Sequence, residues 1–200
     1  MRRRTVIAGL GAVAGGLAFT LGLGAWRTRD REIVQQDPRL PLPLSSMDWR
    51  LVDHRGEPVV PADWVGRPAL VFFGFTWCPD VCPMTLVDIS GWLEDLGPEA
   101  DRLNVTLISV DPERDTPAVL SDYLANFDPR ITGLTGPLAE VERAAAGFRA
   151  WFEKVPRDGD YTVNHTAGVF LFHPDGRFAS IIDYHEDRRF AVPKIRRTIS

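Results

Sequence analysis

The chain has 200 residues, 44% of them hydrophobic and 25% charged, a composition typical of a folded globular protein of about one domain plus an appendage. The formal net charge of −4 is unevenly distributed, because residues 1–31 carry six arginines and one aspartate, whereas residues 32–200 carry 17 basic and 26 acidic groups. An acidic body without a run of Lys or Arg argues against nucleic acid as the main partner and suits a cationic ligand.

The N-terminal segment, residues 1–27, predicts a membrane anchor. Its 22 residues from Thr5 to Trp26 carry no charge, and a helix of this length spans the ~30 Å hydrocarbon core of a bilayer. The alternative is a cleaved signal peptide, for which Arg3-Arg4 fits a twin-arginine export route, but no clear cleavage motif precedes Arg27. We therefore expect an uncleaved transmembrane helix that holds a soluble domain on the extracytoplasmic, periplasmic-type side of the membrane.

Residues 28–46 contain three prolines and a Ser-Ser pair, which predicts an extended linker. Residues 47–200 contain no internal repeat and no low-complexity tract, so we interpret them as one domain. A leading hairpin is expected from Trp49–Asp53 and the following Arg55-Gly56 turn. Ala69–Phe75 is a continuous apolar run, as expected of a central strand that is covered on both faces.

The rest of the domain alternates between helix and strand patterns. Pro83 opens a helix, and a second buried strand follows it. Further helices are predicted to begin at Thr116-Pro117 and Gly136-Pro137, and a closing hairpin precedes a last helix. The buried strand, the two hairpin strands and the last helix are predicted at Val105–Val110, Val169–Phe172, Phe178–Ile182 and 187–199. This order predicts an α/β fold, and a C-x-x-x-C motif after the first central strand narrows it to a thioredoxin-like fold.

The only two cysteines, Cys78 and Cys82, stand four residues apart. Two are too few for the disulfide framework of a small secreted domain, so we interpret the pair as redox-active or metal-binding. They lie between a strand end and a helix start, where open α/β sheets bind ligands. A helix N-terminus lowers the pKa of a thiol, and the thiolate both attacks disulfides and binds soft metals. Location and chemistry therefore leave both functions open.

One of the four histidines is a candidate third ligand. His54, His173 and His185 lie near turns or in a charged run, so we expect them at the surface. His165 directly precedes the closing hairpin, where thioredoxins carry a cis-proline packed against their cysteine pair. A histidine there would direct its imidazole at both sulfurs, and two Cys with one His form a three-coordinate soft site suited to Cu(I). The alternative is a buried histidine that is hydrogen-bonded in the core.

Three motifs, in this order along the chain, resemble those of the Sco (SenC) family. They are Phe72–Pro83 (FFGFTWCPDVCP), Ser109–Pro117 (SVDPERDTP), and His165-Thr166 followed by Pro174-Asp175-Gly176. The resemblance covers roughly residues 40–199, the whole of the soluble domain.

The resemblance implies that Cys78, Cys82 and His165 bind copper. It also implies a role in assembling the binuclear copper centre of cytochrome c oxidase, as a copper donor, as a thiol reductase, or as both. Two residues depart from the family pattern. Asn164 stands where the family often has Asp, so a carboxylate able to orient the imidazole is lost while a polar group is kept. Trp77 stands where many relatives have His, which removes a possible further ligand.

The acidic run Asp111–Asp115 has the composition of a hard-metal site and would lie at the same sheet edge as the cysteines. We favour a structural role for it. Asp115-Thr116-Pro117 is an ordinary helix start, and Arg114 is able to pair with either acid.

Three functions follow from these patterns. The first is a copper metallochaperone without catalytic residues, and the second is a thiol:disulfide oxidoreductase with Cys78 and Cys82 as its redox pair. The third is a peroxiredoxin-like peroxidase, but the Thr-x-x-Cys arrangement with its arginine is incomplete here. A histidine in place of the cis-proline favours copper. The resemblance implies the copper-site subunit of cytochrome c oxidase, and other copper chaperones or thiol reductases, as partners, and the N-terminal helix predicts contact with the membrane.

Overall fold

The computed structural model describes residues 39–199. The strands in this range are β1 (Leu51–Asp53), β2 (Pro58–Val59), β3 (Ala69–Gly74), β4 (Asn104–Ser109), β5 (Ile131–Thr135), β6 (Phe152–Arg157), β7 (Asp160–His165), β8 (Val169–Phe172) and β9 (Phe178–Ile182). Seven of them form one sheet in the order β2-β1-β5-β4-β3-β8-β9, and β6 and β7 form a separate hairpin. β3, β4 and β5 are parallel, whereas β1, β2, β8 and β9 join the sheet as antiparallel neighbours. This mixed sheet confirms the predicted α/β class.

Four α-helices accompany the strands in the described residues: α1 (Val81–Leu96), α2 (Pro117–Leu124), α3 (Leu138–Phe148) and α4 (Arg188–Ile199). Each lies where the sequence predicts a helix. α1 begins two residues before Pro83, and the proline is tolerated there because the first N–H groups of a helix have no intrahelical partner. The predicted cap of α2 is present, since Thr116 Oγ1 accepts a hydrogen bond from Val119 N at 3.3 Å.

The central strands are buried because their side chains are apolar on both faces. All six residues of β3 are buried, as the continuous apolar run predicts. Neighbouring residues of a strand face opposite sides of a sheet. Phe73 therefore packs against Phe148 of α3, with ring centroids 5.3 Å apart, whereas Phe72 faces the other side, where its ring lies 6.0 Å from that of His165. Phe148 also contacts Phe172 at 5.3 Å, which ties α3 to β8 in one aromatic core.

Two features of the fold were not predicted from the sequence. β5 lies between β1 and β4 in the sheet, and the β6–β7 hairpin precedes β8. The leading hairpin is confirmed, because β1 pairs with β2 in antiparallel register. The unpredicted hairpin matters for function, because His165 is the last residue of β7.

The end of the predicted linker, residues 28–46, contacts the domain. Leu44 is fully buried, and its N–H donates to the carbonyl of Gly176 at 2.9 Å. Leu42 N donates to Gly147 O at 2.8 Å. The predicted anchor, Thr5–Trp26, lies outside the described residues. Within residues 39–199 there is no helix with the length and apolar character needed to cross a membrane.

Candidate metal centre

The cysteine loop connects β3 to α1 at the carboxyl end of the sheet. Cys78 N–H donates to Phe75 O at 3.3 Å, which folds the loop back toward the strand. Gly74, the last residue of β3, lies so close to the site that an added Cβ would be 3.1 Å from Cys82 Sγ. A side chain at this position would therefore crowd the buried sulfur, which glycine allows to approach the strand.

The thiols of Cys78 and Cys82 differ in pKa. Cys82 is fully buried and its N–H donates to Cys78 Sγ at 3.3 Å, whereas Cys78 is partly exposed. The hydrogen bond from the Cys82 thiol is the largest cause that lowers the pKa of Cys78 to about 4. The backbone N–H groups of Asp80 and Cys82 also lower this pKa, and burial opposes them. The same hydrogen bond, together with burial, raises the pKa of Cys82. Cys78 is therefore a thiolate at neutral pH and Cys82 a thiol.

His165 presents one ring nitrogen to the sulfurs. Its Nδ1 lies 3.0 Å from the carbonyl oxygen of Thr166, so we assign the proton to Nδ1, which donates to that acceptor. Nε2 then carries the free lone pair, and it lies 3.3 Å from Cys82 Sγ. The rings of Phe72 and Phe75 pack edge-on against the imidazole at 6.0 and 5.9 Å and hold its plane.

The donor atoms of Cys78, Cys82 and His165 lie within 4.8 Å of one another, and in residues 39–199 this is the one group of three such side chains able to hold a metal ion. Metal–sulfur and metal–imidazole bonds are about 2.0–2.3 Å long, so three donors around one ion lie roughly 3.5–4 Å apart. Only small shifts separate the observed arrangement from this geometry. Two sulfurs and one imidazole nitrogen fit a soft metal ion.

The structure corrects two expectations about nearby side chains. The side chains of residues 164 and 165 point to opposite faces of β7, and Asn164 is exposed, so Asn164 is not the polar partner of the imidazole. That partner is the carbonyl of Thr166. His54 and His173, both expected at the surface, are half-buried, and His54 Nδ1 accepts a hydrogen bond from Gly133 N at 3.0 Å. His185 is exposed as expected and lies 3.3 Å from Asp88.

The acidic run is tied to the site by contacts that the sequence did not reveal. Arg114 forms an ion pair with Asp111, as one of the two predicted pairings, and its guanidinium lies 5.3 Å from the centre of the Trp77 ring. Asp115 instead accepts hydrogen bonds from Thr76, two residues before Cys78. Tyr161 of β7 donates to Asp111 at 2.9 Å. No spacing rule could have found the pairing of Asp115 with Thr76 or of Asp111 with Tyr161, since the members of each pair lie on separate elements.

A mixed α/β domain with two thiols and an imidazole at the carboxyl end of its central strands belongs to the proteins that bind soft metals or exchange disulfides. The model of the SCO1/SenC family matches residues 40–200, so the chain belongs to the SCO1/SenC family. This confirms the resemblance found in the three motifs. The protein SCO2 homolog, mitochondrial, of Mus musculus is 39% identical over 160 residues, covering 76% of this chain and 62% of its own length. The chain therefore spans less than two thirds of that relative.

Solved structures show the same fold. Bradyrhizobium japonicum ScoI with copper bound is 44% identical, with a TM-score of 0.70 over 75% of this chain and 96% of its own. BsSco, described as a member of the Sco family of cytochrome c oxidase assembly proteins that has a disulfide switch, is 25% identical, with a TM-score of 0.63 over 76% of this chain and 91% of its own. The fold of the described residues is thus that of the thioredoxin-like Sco structures.

Proposed function

We propose that this chain is a copper metallochaperone that binds copper through Cys78, Cys82 and His165 and assists assembly of the binuclear copper centre of cytochrome c oxidase. The observation that carries the proposal is the approach of the three donor atoms to within 4.8 Å of one another. Membership of the SCO1/SenC family and the similarity to a copper-bound ScoI support copper as the cargo. The similarity to BsSco supports the oxidase as the destination.

The protonation state of the site suits a monovalent soft cation. Cys78 is already a thiolate, and His165 presents Nε2 to the sulfurs. Cys82 must lose its proton when the metal binds, so binding releases about one proton per copper ion at neutral pH. A donor set of two thiolates and one imidazole binds Cu(I) in preference to hard divalent ions.

The unequal exposure of the ligands suits transfer of the cargo. Cys82 is fully buried, whereas Cys78 and His165 are half-buried, and the residues on either side of Cys78 are exposed, Trp77 to 63%. An incoming ligand from the partner protein can therefore approach copper from the Cys78 side. The copper-site subunit of cytochrome c oxidase is the proposed recipient.

Copper binding by single variants tests the proposal. The reduced protein should bind one copper ion, and Cys78→Ala, Cys82→Ala and His165→Ala should each abolish tight binding, because two donors do not complete the site. Affinity is measured by competition with a chromophoric Cu(I) chelator. His173→Ala is the matched control, since His173 is also half-buried but lies outside the donor group. Wild-type affinity in His165→Ala would show that the three-ligand site is wrong.

A thiol–disulfide reductase is the second candidate function. The partly exposed Cys78 thiolate, with a pKa of about 4, and the neighbouring Cys82 thiol are the observation that favours it. The thiolate would attack a partner disulfide to form a mixed disulfide, which Cys82 then resolves. In this exchange two electrons pass from the pair to the partner disulfide. The Cys82 thiol supplies one proton and solvent supplies the second, and a Cys78–Cys82 disulfide remains.

The two roles predict different rescue experiments in cells that lack the protein. If delivery is the main role, added copper partly restores cytochrome c oxidase activity, because excess copper bypasses a donor but does not reduce an oxidised acceptor site. Rescue by an external thiol reductant and not by copper would overturn the donor assignment.

A further inference from the structure

The segment Asp111–Asp115, which we name the brace, lies between the two arms of the candidate metal centre. It follows β4, the strand that pairs with β3, and Gly74 at the end of β3 is in register with Ser109 at the end of β4. The cysteine loop and the brace therefore leave the sheet side by side. One arm of the site is the cysteine loop, and the other is the β6–β7 hairpin, which ends at His165.

Asp115 holds the cysteine arm. Its carboxylate accepts hydrogen bonds from Thr76 N at 3.1 Å and Thr76 Oγ1 at 2.6 Å, and from Ser109 Oγ at 2.6 Å. The side chain is fully buried. Burial of a carboxylate is unfavourable unless hydrogen-bond donors replace the lost water. Burial raises the pKa of Asp115, although the three hydrogen bonds oppose this effect. The three hydrogen bonds fix the position of Thr76, two residues before Cys78.

Asp111 and Arg114 hold the histidine arm. Arg114 pairs with Asp111, donates from Nη1 to Tyr161 O at 3.2 Å, and stacks over the Tyr161 ring at 3.7 Å. Tyr161 closes the group by donating its O–H to Asp111 Oδ1 at 2.9 Å. Tyr161 lies four residues before His165 on the same strand, so these contacts fix the course of β7 as it approaches the sulfurs.

We propose that the brace sets the separation between His165 and the two sulfurs, and that Asp115 is a positioning residue for copper binding. The inference rests on the proposed function, because it concerns the geometry of the same copper site. Asp115 touches none of the three donor side chains and acts through Thr76. Loss of its hydrogen bonds frees the cysteine loop to move relative to β7, which the other half of the brace still contacts through Tyr161.

The test compares Asp115→Asn and Thr76→Val with wild type, using the reduced full-length chain in detergent. Changing a residue that orients metal ligands lowers metal affinity by about 10–100-fold, so we expect a loss of this size in Cu(I) affinity for Asp115→Asn. We also expect a weaker imidazole contribution to the copper X-ray absorption spectrum, a signature that destabilisation alone does not change. The double variant should lose little more than Asp115→Asn alone, because both changes remove the same contact.

Asp53→Asn is the matched control. Asp53 is also a buried carboxylate that accepts three hydrogen bonds, from Arg55 N, Arg55 Nε and Glu57 N, but it lies in β1, three positions from β3 in the sheet. This variant should lower the unfolding midpoint and leave copper affinity and spectrum unchanged.

Wild-type affinity and an unchanged spectrum in Asp115→Asn would overturn the role of the brace while leaving the proposed function intact. An equal loss of affinity in Asp53→Asn would also overturn it, since general destabilisation would then be the cause. If Asp115→Asn does not fold, Thr76→Val gives the same comparison with the loss of a single donor. Failure of the wild-type protein to bind copper would overturn the proposed function itself.

Discussion

Replacement of Gly74 by alanine perturbs the packing between the sheet and the candidate metal centre. The added Cβ would lie 2.8 Å from Phe72 Cε1, 3.1 Å from Cys82 Sγ and 3.2 Å from Leu107 Cδ1. These separations are shorter than the ~3.5–4.0 Å optimum for carbon contacts, so at least one neighbour must move. The crowded groups include the Cys82 sulfur, which lies 3.3 Å from His165 Nε2.

The cost follows from overpacking of a dense core. Added methyl groups in such a core cost about 1–3 kcal/mol. At roughly 2–4 °C per kcal/mol for a chain of this size, the unfolding midpoint of the reduced, copper-free protein should fall by roughly 2–12 °C. Because one of the crowded atoms is a proposed ligand, Cu(I) affinity should fall as well, by about 10–100-fold, the loss seen when the groups that orient metal ligands are changed.

Gly133→Ala separates the two effects. At Gly133, on β5, an added Cβ would lie 2.8 Å from Leu124 Cδ1 and 3.3 Å from Leu120 Cβ, so the crowding is similar but involves no sulfur. Both variants should lose thermal stability in a calorimetric or circular-dichroism melt, and only Gly74→Ala should lose copper affinity in the chelator competition. Equal copper affinity in the two variants, or an unchanged melting midpoint in Gly74→Ala, would refute the packing argument.

Two further predictions concern the thiol pair and the N-terminal segment. Alkylation of Cys78 by iodoacetamide should stay fast at pH 5 and decline only as the pH falls through about 4, the pKa of the thiol. Cys82→Ala should raise the midpoint pH of this decline, because the hydrogen bond from Cys82 is the largest cause of the low pKa. Folding lowers the pKa of the Cys78 thiol from its ordinary value of 9.0. Ionisation of this thiol therefore contributes fully to the free energy of unfolding when the pH is above 9.0, and the contribution is lost as the pH falls toward about 4. A midpoint near 9 in wild type would contradict the assigned thiolate. The full-length protein should fractionate with membranes through Thr5–Trp26, and replacing Gly15-Gly16 with two arginines should release it; recovery of a soluble mature form that begins near Arg27 would instead indicate a processed signal peptide.

The local sequence pattern correctly predicted the helices and strands that are buried completely or on one face only. The run Ala69–Phe75 became β3 almost to the residue, because a strand covered on both faces must be apolar throughout. The capped start at Thr116-Pro117 became α2, since a cap and a proline specify a helix N-terminus locally. β5 was missed because Ile131–Thr135 is short and contains a glycine. The β6–β7 hairpin was missed because most of β6 is exposed and carries no apolar alternation.

For the site, the sequence by itself determined the candidate ligands, which are the two cysteines of the C-x-x-x-C motif and His165, and the family whose motifs surround them. Only the tertiary structure decided how they meet. Cys82 and His165 are 83 residues apart, and Thr76 and Asp115 are 39 residues apart. The difference in pKa between the two thiols and the contacts of the brace depend on distances of a few ångströms between separate elements. Such distances follow from the packing of the whole sheet, which no local pattern encodes.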